Sequence, residues 1–227
     1  MALSKRLKST GLALLVLIVP GVCYLVLQTG TNYYQRLPVY GAEKQRVELA
    51  DIPDSAWHRV NLSRIAAQGT AIPDLEGNMY VAGFFRIEAS PAAETLAVNM
   101  ARVARIYRDM DRLRFVTFVA DKPADSNLNA SQPSMEPLLD QYLGTGGNRI
   151  HVRLPEATLR DILREEFLLW PASSGEKGKP LNDTLVLVDS RLHIRGFYRG
   201  NSYFDTDTLK DEIAVLWKEE MNRDDQE

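Results

Sequence analysis

An α/β fold built on a mixed sheet is predicted by three features of the sequence. A continuous apolar run, "MYVAGFF" (79–85), leads through "SP" (90–91) into a stretch of helical periodicity. "RFVTFVAD" (114–121) follows as a second strand rich in β-branched and aromatic residues. "TLVLVD-SR-LHIRGFYRG" (184–200) reads as two strands about a tight polar turn, and an amphipathic stretch comes after it. A strand–helix–strand opening requires a parallel pair with a right-handed crossover. A hairpin is antiparallel, so the sheet has to be mixed.

At the N-terminus, "SKRLKSTGLALLVLIVPGVCYLVLQTG" (4–30) carries no charge from Gly11 to Leu27, a span of 17 residues. About 17–25 apolar residues cross a bilayer as a helix. A cleaved leader would want a small-x-small exit, whereas the exit here is Leu25-Val26-Leu27-Gln28. "PGVC" (20–23) is a poor lipidation box, and Cys23 reads as a small apolar packing residue. An uncleaved anchor is expected over 11–29, kinked at Pro20. Lys5, Arg6 and Lys8 would hold residues 1–10 in the cytoplasm. The rest then faces the periplasm of a bacterial inner membrane: a linker over 30–60, a domain over 61–220 and a charged tail over 221–227.

Within the domain, "RVNLSRIAAQGTAIPDLEGN" (59–78) is expected to form a short hairpin region turning at Gly69 and Gly77. Ser90 and Pro91 fit the cap and first turn of a helix. Leu96, Met100, Val103, Tyr107 and Met110 then recur on one helical face. "KPADSNLNASQPS" (122–134) is a polar loop, and a short helix over 135–143 stops at "GTGGN" (144–148). "RIHVRL" (149–154) reads as an edge strand. "PEATLRDILREEF" (155–167) is a helix with Leu159, Ile162, Leu163 and Phe167 on one face. "WPASSGEKGKP" (170–180) is a loop, and 207–221 a closing helix with Leu209, Ile213, Leu216 and Trp217 on one face. Strand–helix–strand, a further helix–strand–helix, then hairpin and helix is the thioredoxin arrangement. There the reactive cysteines sit where the first core strand meets its helix, because free N–H groups and the helix dipole stabilise a thiolate.

Composition narrows the chemistry. The net charge is −3, and setting aside Lys5, Arg6 and Lys8 leaves 24 cations against 30 acids. Nucleic-acid binding, dominated by phosphate contacts, is a poor match. The one cysteine is Cys23, so neither an intrachain disulfide nor a cysteine-rich zinc site is available. His58, His151 and His193 are far apart in sequence and form no helical pair. His151 and His193 are expected on strand surfaces, Met100 and Met110 in the core. Met79 is a further soft donor, and Glu88, Asp121 and Asp125 are read as a solvated acidic loop region. Asn61, Asn129 and Asn182 open short glycosylation-type sequons, a pattern frequent by chance.

"LPVYG" (37–41), "DLEGNMYVAGFF" (74–85), "NMARV" (99–103), "FVTFVADKPADS" (115–126) and "LVLVDSRLHIRGFYRG" (185–200), in this order, make the chain resemble the Sco/SenC family. These are membrane-anchored thioredoxin-fold proteins of cytochrome c oxidase biogenesis, and the resemblance runs from the anchor to the last helix. It implies a CxxxC and a histidine that bind copper. In this sequence the CxxxC positions fall on Ala89 and Ala93, and the histidine position falls near Leu181 and Asn182. Copper(I) wants thiolate, thioether or imidazole donors, which alanine and leucine do not supply. The resemblance therefore implies a non-enzymatic protein without catalytic, metal or cofactor residues. It would be an accessory subunit or assembly factor bound to subunits of a haem-copper oxidase or associated cytochrome complex. The alternative is a copper chaperone or thiol oxidoreductase with a non-standard site.

Overall fold

The computed structural model describes residues 18–19, 36–41, 46–47, 57–61, 63, 75–86, 89–121, 134–144, 146–169 and 184–224. The chain divides into two compact units, Met1–Gln35 and Arg36–Glu227. In the first, Ile18 and Val19 are helical and about half exposed. The rest of the predicted anchor, 11–29, lies outside the described residues, among which no helix is long and apolar enough to cross a membrane.

The second unit follows the predicted order. Its elements are β1 (Val39–Tyr40), β2 (Arg46–Val47), β3 (Met79–Arg86), α1 (Pro91–Ile106), β4 (Leu113–Asp121) and α2 (Glu136–Tyr142). They continue with β5 (Arg149–Pro155), α3 (Glu156–Glu165), β6 (Thr184–Val188), β7 (Ile194–Arg199) and α4 (Tyr203–Asp224). The five-stranded sheet has the order β5-β4-β3-β6-β7. β3, β4 and β5 are parallel, with Met79 opposite Leu113 and Phe115 opposite Arg149. β6 is antiparallel to β3, with Tyr80 opposite Val188, and β7 is antiparallel to β6. A parallel core pair flanked by an antiparallel hairpin and closed by a helix is the thioredoxin-like topology.

Side-chain alternation along the strands divides the interior into two layers. Met79, Val81, Phe85, Phe115, Leu185 and Leu187 pack against α1, α2 and α4. Tyr80, Ala82, Phe84, Phe118, Val152 and Val186 face α3, which contributes Leu159, Ile162 and Leu163. Gly83 lets α1 approach β3, since a Cβ there would lie 2.8 Å from the Met100 sulfur. Phe84, Phe118 and Phe167 form an aromatic cluster, with centroids 5.4 Å apart for Phe84–Phe118, 4.9 Å for Phe84–Phe167 and 5.5 Å for Phe118–Phe167.

The register gives the sheet two poles. The junction pole holds the C-terminal ends of β3, β4 and β5 and the start of α1. The turn pole holds their beginnings, the β6–β7 turn and the end of α4. Three sequence expectations change here. The segment read as linker is partly structural: Leu37, Val39 and Val60 are buried, and Tyr40 meets Phe197 edge-on at 4.9 Å. The expected hairpin over 59–78 does not form among its described residues. Instead Arg59 bridges to His193, Val60 N–H donates to the Leu192 carbonyl at 2.9 Å, and Gly77 turns at φ 77°. Gly69 lies outside the described residues. The closing helix begins at Tyr203, four residues before the expected Asp207, because Ser202 caps it: its hydroxyl accepts the Asp205 N–H at 3.2 Å.

Phe118→Ala would empty the centre of the aromatic cluster. The expected cost is about 3–5 kcal/mol, read as a lowered urea midpoint with an unchanged m-value.

Candidate functional site

The junction after β3 is a well-made helix start. Ser90 is the N-cap of α1; its Oγ accepts the Ala93 N–H at 3.2 Å and its carbonyl accepts the Glu94 N–H at 2.9 Å. Pro91 occupies the first turn, and Glu94 places a carboxylate near the positive end of the dipole. Ala93 is buried, and Ala89 is half-buried against the α1-side layer. Both positions present a methyl group. An alanine has neither a lone pair for a metal nor a leaving proton for redox chemistry, so the N–H groups of this turn have no thiolate to stabilise.

The soft and acidic side chains described elsewhere in the domain do not gather at this junction. Met79 and Met100 are buried core residues and Met110 packs half-buried against the same layer, as expected. Asp121 ends β4, half-buried. Among the described residues no three of His, Cys, Asp and Glu gather in a way that could hold a metal ion. Leu181, Asn182, Glu88 and Asp125 lie outside the described residues, as do Asn129 and the 170–180 loop.

The buried ionisable groups collect at the turn pole, which the sequence did not signal. Arg195 enters from β7. Its Nη1 donates to Asp189 at 3.2 Å and its Nη2 to Glu219 at 2.5 Å and to the Leu37 carbonyl at 2.8 Å; its Nε reaches the Pro38 carbonyl at 3.1 Å. Glu219 also accepts the Leu37 N–H at 2.6 Å. One guanidinium and one carboxylate thus clamp the segment by which the chain joins the domain. Asp189 orders the β6–β7 turn, its Oδ1 accepting the N–H groups of Arg191 at 3.0 Å and His193 at 2.8 Å. Burial alone would raise the Asp189 carboxyl, but contacts with His193 and Arg195 outweigh it and hold the group below its ordinary range.

His193 corrects the sequence reading. It is 2 % exposed, not a surface strand residue. Its Nδ1 lies 3.4 Å from Asp189 Oδ2, and Trp57 covers it edge-on at 5.2 Å. The covering segment explains the burial: residues 57–61 run across the pole from the β6–β7 turn to the end of α3. There the Asn61 N–H donates to Glu166 at 2.7 Å, and His58 Nε2 lies 2.6 Å from the Glu166 carbonyl. His151 sits half-buried on edge strand β5, its Nε2 2.6 Å from the Gly144 carbonyl.

Two further groups meet this cluster. Tyr80 is pushed well above the ordinary phenol range, first by burial and then by the fields of Asp189 and Glu166. Its hydroxyl finds no hydrogen-bond partner among the described residues. Glu220, 0 % exposed, accepts the Ser190 N–H at 2.8 Å through Oε1. Burial raises its carboxyl, an effect that the Ser190 bonds and Arg223 oppose and the Asp189 field reinforces. The alternation of "DSRLHIRG" (189–196) hinted at polar side chains on a strand. Only the strap over 57–61 and the clamp on Leu37 put them inside.

No protein-family model matches the sequence, and no curated protein does. Solved structures similar to the chain include Sco-family proteins. A SCO1/SenC family lipoprotein from Bacillus anthracis is 17 % identical over 63 % of this chain and 83 % of its own, with a TM-score of 0.46. BsSco, of the Sco family of cytochrome c oxidase assembly proteins and described for its disulfide switch, is 12 % identical over 79 % of this chain and 90 % of its own, at 0.47. Yeast Sco1 with copper bound is 13 % identical over 63 % and 78 %, at 0.43. The fold assignment itself rests on the strand order and register.

Arg195→Ala would strand the buried carboxylate of Asp189 and the half-buried one of Glu219. A loss of about 3–5 kcal/mol is expected, measured by denaturant unfolding, with faster proteolysis around residues 36–41. Glu219→Gln, which still accepts from Leu37, is expected to cost less. Glu220 titrates in the opposite sense from Asp189. Its folded pKa is raised, so its contribution is complete below the unfolded value and lost as pH rises through the folded one. Glu220→Gln is therefore expected to be more stable than the parent at pH near 7, the difference closing below about pH 4. Asp189, lowered, loses its contribution as pH falls through its folded value. Unfolding of both proteins across this range checks the signs.

Proposed function

We propose that the protein is a membrane-anchored, non-catalytic relative of the Sco/SenC type. Its place is on the periplasmic side of a bacterial inner membrane, as an accessory subunit or assembly factor of a respiratory, cytochrome c oxidase-type complex. The observation that carries this reading is the pair of alanines at the start of α1. The thioredoxin topology, the capped helix and the parallel strands beneath it are all kept, while the two positions that would react are methyl groups. A scaffold of this shape with methyl groups at those two positions suits holding a partner rather than passing it a metal or an electron pair. The respiratory setting comes from the ordered motifs between residues 37 and 200, and the anchoring from the uncharged run of 11–27 with its N-terminal cations. Fold alone does not assign a role, so the partner decides the matter.

Purified from membranes in mild detergent, the tagged full chain is expected to bring down haem-copper oxidase or associated cytochrome subunits. Titrated with Cu(I) in reducing buffer, it is expected to form no stoichiometric complex. A solitary monomer would remove the respiratory assignment. Submicromolar Cu(I) binding would restore the copper-chaperone alternative.

A further inference from the structure

The large apolar side chains that the second unit exposes among its described residues, Val98, Ile106, Tyr203, Phe204 and Met221, all belong to α1 and α4. Val98, Arg102 and Ile106 stand four residues apart on the outer side of α1, away from the buried Leu96, Met100 and Val103. Tyr203 and Phe204 open α4 and are 65 % and 78 % exposed. The two helices lie side by side, parallel and in step. Asn99 donates to the Gly200 carbonyl at 2.8 Å, Arg102 to the Thr206 hydroxyl at 3.0 Å and Tyr107 to the Lys210 carbonyl at 2.5 Å. The Arg102 guanidinium lies over the Tyr203 ring, 4.1 Å from its centroid, and pairs with Asp207 at 3.3 Å. It therefore holds one of the exposed aromatics in place.

The charges of this face are matched within the chain, with two exceptions. Glu94, Asp205 and Glu212 are engaged by Tyr142, Arg199 and Tyr198, and Arg108 by Asp109. Lys210 is shared by Asp207 at 3.1 Å and Asp211 at 3.2 Å. Asp211, 71 % exposed, has only that shared partner, and Arg105 on α1 has no ion pair among the described residues. The contacts at Arg102 and Tyr107 put Arg105 and Asp211 within about one helical turn of the same level.

We propose that this face binds a second copy of the chain, about a two-fold axis running along the groove between α1 and α4. Such an axis lays α1 of each copy over α4 of the other at the same level. Val98 then meets the second copy's aromatic pair, and Arg105 meets its Asp211. A surface with an unmatched cation on one helix and a half-matched carboxylate on its neighbour complements itself twice over in this arrangement. With α1 16 residues long, a face two helices wide covers roughly 24 by 20 Å. That is the weak end of specific interfaces, so the pairing is reversible. Neither the reading of 11–29 as an anchor nor the respiratory setting enters it.

The test is sedimentation equilibrium of the full chain in mild detergent, up to about 100 µM. A concentration-dependent dimer is expected. Arg105→Glu alone and Asp211→Arg alone are each expected to weaken it about tenfold, because like charges then face each other twice. Phe204→Ala is expected to weaken it by a similar factor. Mixing the Arg105→Glu and Asp211→Arg proteins puts opposite charges back at both contacts and is expected to restore the dimer, as is combining the two changes in one chain. Urea midpoints near that of the parent show that the variants remain folded. A monomer at every concentration overturns the proposal. A dimer that none of the three substitutions weakens is held elsewhere and overturns it too. So does a dimer that either single reversal weakens but mixing does not restore. Loss of a co-purifying protein on Phe204→Ala, with the dimer unchanged, gives the face to a different partner and overturns it as well.

Discussion

The guanidinium of Arg195 is the tie on which the arrangement depends. It is buried, and a buried cation is tolerated only when its charge and its donors are all met. Here they are met by the β6–β7 turn through Asp189, by the last helix through Glu219, and by the incoming chain through the Leu37 and Pro38 carbonyls. A planar fork with five N–H groups can serve three directions at once, which a lysine ammonium on a single stem does less well. Segments more than 150 residues apart in sequence are thereby held together; Leu37 and Arg195 are separated by 158 positions.

The helix start at Ser90 lies at the opposite end of the sheet from this tie, and it is satisfied internally: the cap hydroxyl takes up the Ala93 N–H, and the two alanines pack. The two buried carboxylates with shifted affinities for protons, Asp189 and Glu220, sit at the far end, where they hold the β6–β7 turn. Their opposite shifts, Asp189 down and Glu220 up, follow from opposite balances. Asp189 has a histidine and an arginine to offset its burial, whereas Glu220 has a backbone N–H and the more distant Arg223, 3.9 Å away.

Much of the fold was legible because it is local. Leu96, Met100 and Val103 declare α1 by their spacing, Ser90 and Pro91 mark its start, and the β-branched runs mark β4 and β6. The cap of α1 was legible too, since Ser90 and Pro91 stand before the periodic run and the structure uses both as the sequence suggests. The turn-pole cluster was not. His193 lies between Leu192 and Ile194 in a strand whose neighbours alternate, so its side could not be fixed from the pattern alone. Its burial is decided by Trp57, and the roles of residues 36–41 and 57–61 are decided by Arg195, Leu192 and Glu166. Those are long-range pairings between polar atoms, which leave no periodicity in a segment of weak hydropathy.

The sheet ends in two strands that meet solvent under different terms. At β7 the short β1–β2 ribbon lies alongside, with Tyr40 against Phe197, so that a foreign strand would have to displace it. At β5 no described strand follows, and the outward-alternating residues are Arg149, His151 and Arg153, two of them permanently cationic. Another molecule seeking to extend the sheet there would have to bring like charges into register beside its own copy. Charge on a bare rim discourages self-association into β-aggregates, and it keeps a domain whose interior strands are almost wholly apolar from joining sheets at high concentration.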